Sequence, residues 1–542
     1  MSIGSSMKQL KTLLKEKRLN RAEPIVFFIV VLLNAAVIFS ATYFRSLDGP
    51  SHIYNAGLIS ELISGDDTAV PKIYSINKEA IPNWTSHVVL VMLSNVFSPW
   101  MAEKLLLVLC CFFFPYAVRA LLKSSSNISP AKALLVLPAT YSNFVVLGFY
   151  NYLIALVVMI YFIRSAYLFY KSPAVKPALV SFALLTLLYF SHPYVFAVAM
   201  LVAALSTGFH LLLSIIQRDY LKGFKAVGIM LAIALPYVLM LWFFTKAHTN
   251  GQQPSVFIPV NELLHNLYHG YSFVMYQIAP QEVNTFWFVR VWLVLFAAAL
   301  LVRIYYFRRT KEFLISDAWL LTAVIVGIAY FTLPDDMGGA MNTVRLRFLL
   351  TLCALIWIVL QPISRFVWIP AIAVLFYFHI KQLKHHYEGF TDKQYIKEVN
   401  ELRKAGAQLP PNSITFTFNF SQDMWMFHAL NHAGIEGKRA LVENYEADSK
   451  WFPVVWTPET MVRLAGQEKL IERVDWRNPG NYFVPATVLR ADYVLIYEHP
   501  KNAADSAWYM PIDSVIQKNY TKIYSGTGTE LYKQTNLVTS KR

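Results

Sequence analysis

Asp48 and His52 are the residues best placed for acid–base chemistry. They stand in the stretch Phe44-Arg-Ser-Leu-Asp48-Gly-Pro-Ser-His52-Ile-Tyr-Asn55. Gly49-Pro50 reads as a helix start, which puts Asp48 at the N-cap and His52 on the first turn. A carboxylate beside an imidazole suits removal of a hydroxyl proton, one group taking it and the other tuning or orienting the first. The plainer roles are a helix cap for Asp48 and a packed surface residue for His52. Arg345 and Arg347 stand at the start of an apolar run, after the turn Pro334-Asp335-Asp336-Met-Gly338-Gly339. Arginine at a membrane boundary is costly unless it snorkels or binds something, and its planar fork recognises phosphate in a way lysine does not. His192, between Ser191 and Pro193, is a further candidate donor to a phosphate or a sugar.

Other groups carry weaker signals. His265 and His269 have metal-ligand spacing, but no glutamate stands between them as in the zinc protease motif, and an amphipathic lid helix explains them as well. The acidic pairs Asp66-Asp67 and Asp335-Asp336 are compatible with a divalent cation, or with solvated turns. No cofactor is required by the sequence, and no metal ligands are assigned. Trp84, Trp100 and Tyr150 could stack on sugar rings, although aromatic residues also gather at membrane interfaces. Gln422-Asp423-Met-Trp425 and Glu443-Asn444-Tyr445-Glu446 are polar-aromatic clusters with no evident chemistry of their own. There is no phosphate-cradling glycine loop, nucleophilic serine elbow or zinc cysteine cluster. Cys110, Cys111 and Cys353 lie in apolar runs and read as small buried hydrophobes.

The elements that must hold these residues are set by composition. Of 542 residues, 56% are hydrophobic and only 15% charged, with a mean hydropathy of +0.41. Soluble domains run near 25% charged, so a soluble enzyme, a disordered chain and a coiled coil are excluded. The expected fold is an α-helical polytopic membrane protein of about 11 transmembrane helices, with a long first outer loop and a small C-terminal α/β domain. A span needs about 20 apolar residues. Candidates run over 24–43, 101–122, 131–147, 148–170, 177–191, 193–216, 224–245, 285–307, 317–333, 344–361 and 364–380. Residues 1–380 form this membrane domain, with outer loops at 44–100, 246–284 and 334–343. Residues 85–98 are apolar but short, and read as a helix on or dipping into the outer surface.

The net charge of +15 belongs almost wholly to the membrane part, because residues 381–542 hold 20 Lys+Arg against 18 Asp+Glu. The positive charges fall in alternate loops: before the first span, around Arg119 and Lys123, at Lys171 and Lys176, at Arg218 to Lys225, and at Arg308 to Lys311. This places the N-terminus in the cytoplasm and residues 381–542 outside. A nucleic-acid partner is not needed to explain the basic surplus. In the C-terminal region, Ile414-Thr-Phe-Thr-Phe418 and Ala491-Asp-Tyr-Val-Leu-Ile-Tyr497 read as strands. A helical stretch is expected from about Gln422 to Ala433, and a hairpin around Gly526 and Gly528.

A long first outer loop that opens with an acidic residue directly after the first span resembles the polytopic GT-C-type membrane glycosyltransferases. Asp48 to Asn55, Pro82-Asn83-Trp84-Thr-Ser-His87, Ala102-Glu103-Lys104, Gly148-Phe-Tyr150-Asn151, Ser191-His192-Pro193 and Pro334 to Gly339 with Arg345 are similar to an uncharacterised bacterial branch of that superfamily. The resemblance implies an inverting transferase of the bacterial inner membrane. A polyprenyl-phosphate sugar would be the donor, and a glycan, lipid or protein of the cell envelope the acceptor, on the outer face. It implies Asp48 as the base, and the carboxylate–imidazole pairing read above adds His52 beside it. Arg345, Arg347 and His192 are expected at the donor phosphate, and Asn55, Trp84, Tyr150 and Asn151 at the substrate. The competing functions are a non-catalytic assembly scaffold and a transporter of lipid-linked glycans.

Overall fold

A computed structural model describes residues 22–535, apart from 66, 126–127, 249–254, 277, 337–340, 438, 458–459, 464–486 and 502. The expected Asp66 and the Gly338-Gly339 turn therefore lie outside the described residues. The chain divides into two compact units. One comprises Met1–Ser40, Leu107–Asn143 and Leu153–Tyr387, and the other Ala41–Leu106, Phe144–Tyr152 and Glu388–Arg542.

The first unit is helical. Among the described residues of the whole chain, eight helices are long and apolar enough to cross a membrane. They are Ala22–Ser40, Pro99–Lys123, Tyr150–Lys171, Pro193–Ile216, Tyr220–Lys246, Ala279–Thr310, Asn342–Leu360 and the helix that begins at Arg365. The other three expected spans are present as shorter apolar elements: Pro130–Thr140, Val175–Ser191 and Asp317–Thr332. Pro130–Thr140 is a 3₁₀ helix with Pro138 inside it. Its Pro cannot donate to an α ladder, and the steeper rise of the 3₁₀ form makes eleven residues reach further than they would as α-helix.

Polar groups inside this unit are tied to one another. Asn34 donates to Thr140 and accepts from His379. The Arg164 guanidinium donates to the Ala120 carbonyl at 3.1 Å. Lys132 donates to the Gln361 carbonyl. Such pairing is what a low-dielectric interior demands.

The second unit is built on a five-stranded mixed sheet. Its order is Ala440–Leu441, Ile414–Asn419, Tyr493–Tyr497, Thr529–Gln534, Tyr520–Ser525. The first three strands are parallel and the last two antiparallel. Every residue of Ile414–Asn419 and Tyr493–Tyr497 is buried, as expected of parallel strands covered on both faces. Tyr395, Val399 and Leu402 of helix Lys393–Ala407 and Ile512 and Ile516 of helix Ala503–Asn519 share their core. The expected helix over 422–433 is instead a chain of short turns, Met424–Met426, Ala429–Asn431 and His432–Ile435. Asn419 draws the first of these back to the sheet by donating to the Met426 and Phe427 carbonyls.

The first outer segment folds into this same unit. Tyr74–Ile76 pairs antiparallel with Val454–Trp456, and Tyr74 stacks on Trp456. Helix Thr85–Ser94 buries Thr85, Ser86, His87 and Leu90. Val88, Met92, Val96 and Phe97 are exposed on and just after it, the pattern of a helix with one face for an apolar surface.

Candidate active site

Asp48 precedes helix Gly49–Ser64, with a proline in its first turn. An N-cap carboxylate ordinarily accepts from the N–H two or three residues on. Here the residue two on is Pro50, which has no N–H, and Asp48 itself has helical φ and ψ of −93° and −12°. Its carboxylate makes no capping hydrogen bond. The backbone is instead fixed from the other side, because Leu47 and Asp48 donate to the Val146 and Leu147 carbonyls. Gly148, at φ +81°, lets that strand of chain approach. A Cβ there would stand 2.7 Å from the Gly49 nitrogen and 2.9 Å from that of Asp48.

The freed carboxylate meets groups from the C-terminal region. His428 Nε2 lies 3.8 Å from Asp48 Oδ1, and His428 Nδ1 lies 3.6 Å from Glu443 Oε1. Tyr445 stacks on His428 with centroids 4.4 Å apart, and its hydroxyl lies beside Asp48. Burial pushes the Asp48 carboxyl above its usual range, and the neighbouring His428 and His52 only partly offset this.

Behind Asp48 lies a buried carboxylate held between two imidazoles. His52 Nδ1 is 2.8 Å from Glu446 Oε1, and His87 Nε2 is 2.8 Å from Glu446 Oε2. Burial alone would raise the Glu446 carboxyl, but His52 and His87 outweigh it and hold it well below the usual carboxylate range. Burial alone would likewise make His52 less basic, and Glu446 reverses the sign so that His52 is raised. The ring of His52 packs 5.2 Å from that of Tyr150. The Tyr150 hydroxyl donates to Glu103 and lies 3.2 Å from Ser46 Oγ.

The structure thus brings Asp48 and His52 together with His87, His428, Tyr445 and Glu446. In the sequence His87 stands only within the stretch quoted for the resemblance, Tyr445 and Glu446 only in a polar-aromatic cluster, and nothing marks His428. The close packing of acidic, amide and aromatic side chains in Glu443-Asn444-Tyr445-Glu446 was the signal available there.

The residues expected at the substrate have protein partners. Asn55 and Asn444 exchange amide hydrogen bonds. Asn151 accepts from the Ser86 nitrogen and donates to the Asn83 carbonyl. Tyr150 is fully buried. Trp84 sits at the N-cap of helix Thr85–Ser94.

Arg345, Arg347 and His192 belong to the other unit. Arg345 lies over the Tyr194 ring at 5.4 Å, and His192 lies 6.0 Å from the same ring. Arg347 is buried and donates to Ser272 at 3.0 Å. Asp335 accepts from the nitrogen and hydroxyl of Thr343 in the first turn of helix Asn342–Leu360, and Asp336 from the Val256 nitrogen of a loop, so both have backbone partners. The His265 and His269 rings stack at 4.1 Å, with Glu282 beside His269.

No family model matches the sequence, and no curated protein matches it. Solved structures that match in three dimensions include the crystal structure of ArnT from Cupriavidus metallidurans bound to undecaprenyl phosphate. It has a TM-score of 0.51 at 10% identity, over 94% of this chain and 97% of that one. The same protein in the apo state gives a TM-score of 0.51 at 11% identity, over 95% and 98%. The chain shares the overall fold of ArnT. At this identity the likeness extends to the fold, and what Asp48 and its neighbours can do follows from their own geometry.

Proposed function

We propose that the chain is a membrane glycosyltransferase. It moves a sugar from a polyprenyl-phosphate donor to a glycan, lipid or protein acceptor of the bacterial envelope. The observation that carries this reading is the Asp48 carboxylate. It is withdrawn from the capping role its position invites and surrounded by His428 and Tyr445. The fold shared with ArnT and the undecaprenyl phosphate bound by that protein support a lipid-phosphate donor.

The reaction is a direct displacement. The acceptor oxygen forms its bond to the anomeric carbon as the bond from that carbon to the phosphate oxygen breaks, with inversion. The bonding pair leaves with the polyprenyl phosphate, and the acceptor proton passes to Asp48. A base with a raised pKa holds that proton more readily, and general-base help is worth about 10²–10⁴-fold. His428, 3.8 Å away, is the group that can take the proton onward to Glu443.

The departing phosphate needs positive charge. Arg345 is the first choice and His192 the second, on the chemistry of their side chains. Arg347, tied to Ser272, acts as support. The alternation of charged loops puts the site on the outer face of the inner membrane, with the N-terminus cytoplasmic.

The test is Asp48→Asn in a cell lacking the native gene, with membrane level and envelope glycans compared with wild type. Loss of one glycan at a normal protein level identifies the product. Unchanged glycans sink the transferase reading and favour a scaffold.

A further inference from the structure

The His52–Glu446–His87 cluster sets one buried carboxylate between two buried imidazoles, each 2.8 Å away. All three side chains are buried, at no more than 4% exposure. His87 Nδ1 lies 3.2 Å from the Asn83 carbonyl, and the Gly148 carbonyl lies beside the His52 ring. A neutral imidazole has one ring proton. If each ring spends it on a backbone carbonyl, the two remaining nitrogens turn lone pairs towards an ionised carboxylate. Three such groups repel unless positive charge lies among them.

Two sources of charge are available: a second proton on each ring, or a metal ion. Two imidazolium rings with centroids 5.1 Å apart would repel each other in a buried site. The contact between His52 Nδ1 and Glu446 Oε1 also lacks the alignment of a hydrogen bond. Both atoms are buried without a hydrogen-bond partner among the described residues. The donor atoms of all three residues lie within 4.8 Å of one another.

We infer that His52, His87 and Glu446 bind a divalent first-row transition-metal ion, with zinc as the probe. Two imidazoles and one carboxylate are a known zinc donor set, with a fourth position left for another ligand. The backbone carbonyls at Asn83 and Gly148 would then fix tautomer and orientation, as second partners of metal-bound histidines do. The ion joins His87 and His52 to Glu446, which lies 359 residues beyond His87 in sequence, so its binding free energy becomes folding free energy. It also places Tyr445, the neighbour of Glu446, beside Asp48. This deepens the transferase reading of the same site, while the binding itself does not depend on that reading.

The experiment uses the full chain purified in detergent, free of any histidine tag. It carries His265→Ala so that the half-exposed cluster of His265, His269 and Glu282 does not add to the count. The protein is stripped with a chelator, reloaded with Zn²⁺ or Co²⁺ and passed over a sizing column. Metal is read by mass spectrometry, and Co²⁺ by its visible ligand-field bands.

The expected result is one metal per chain and a higher melting temperature on reloading. His87→Gln and Glu446→Gln should lose the metal, while Asp48→Asn keeps it and loses transfer. If wild type retains no metal after loading, or if Glu446→Gln retains as much as wild type, protons hold the cluster and the inference fails. Should a ligand variant not fold, the stoichiometry and melting shift of the His265→Ala protein still decide. A metal-loaded protein without transferase activity would count against the enzyme reading alone.

Discussion

Two aspartates stand at helix N-caps in the same compact unit, and they do opposite things. Asp392 has an extended backbone with φ −60° and ψ 112°. It accepts from the Gln394 and Tyr395 nitrogens at 2.9 and 3.1 Å and pairs with Arg45 at 2.6 Å. Asp48 has helical dihedrals, a proline where a donor should be, and no cap bond. Both helices form, so the first gains its start from proline geometry and tertiary packing, and its carboxylate is left over for other work. A cap position in sequence therefore states an opportunity, and the two flanking residues decide whether it is taken.

The largest break in this comparison should come from removing each carboxylate in turn. Asp48→Asn should lower sugar transfer by about 10²–10⁴-fold with little change in melting temperature. Asp392→Ala should do the reverse, costing about 0.5–2 kcal/mol of stability and leaving transfer by the folded fraction near wild type. Transfer assays and thermal unfolding of both proteins in detergent decide it. Equal loss of activity in the two would erase the distinction.

The helix that Asp392 caps also presents Tyr395 to His432, whose ring is buried and accepts from Trp100 at 3.3 Å. Burial, together with the nearby Arg403, pushes His432 down from 6.5 to about 3. The unfolded chain therefore binds a proton that the folded chain refuses. The stability this group contributes is complete above its ordinary value of 6.5, falls as pH drops below it, and is gone near 3. The loss should be on the order of a few kcal/mol. Melting curves of wild type and His432→Gln between about pH 7 and about pH 4 should diverge in slope, the variant being the flatter.

Two glycines sharpen the Asp48 side. Gly148 at φ +81° and Gly65 at φ +70° both pay for a side chain in backbone strain, of about 1 kcal/mol or more. Only at Gly148 would a Cβ also meet the Asp48 backbone, whereas nothing lies within 4 Å at Gly65. Gly148→Ala should therefore lower transfer as well as stability, and Gly65→Ala stability alone. The smallest effect expected is from Tyr445→Phe. Losing one hydroxyl beside the base should cost roughly 0.5–1.5 kcal/mol in transfer, up to about tenfold, with membrane level unchanged.

Much of the frame was legible in the sequence, because membrane thickness sets a length that apolar runs either meet or miss. The strands at Ile414 and Tyr493 and the hairpin at Gly526 were legible for similar local reasons: alternation at Ile414–Phe418, a short apolar run at Tyr493–Tyr497, and glycines at the turn. Pro130–Thr140 was not, since its prolines turn an apolar run into a shorter 3₁₀ element. Asp48 and His52 stood out through their place after the first span. Their partners did not, since Glu446 meets His87 across 359 residues and no local pattern marks such a contact. Tyr150 stood out as an aromatic ring that could stack on a sugar, and Asn55 and Asn151 through the stretches that carry the resemblance. The structure gives their hydrogen bonds to Asn444, Glu103, Asn83 and Ser86.

The reciprocal amide pair of Asn55 and Asn444 spans 389 residues of chain. At a synthesis rate of about 5–20 residues per second, the second asparagine follows the first by roughly twenty to eighty seconds. Over that interval the ribosome has released Asp48 and inserted the spans, while the groups that surround the carboxylate do not yet exist. The surroundings of the Asp48 carboxylate are thus timed by the ribosome, and they are complete only after residue 446 has been made. A chain that stops before residue 446 would sit in the membrane without a finished site.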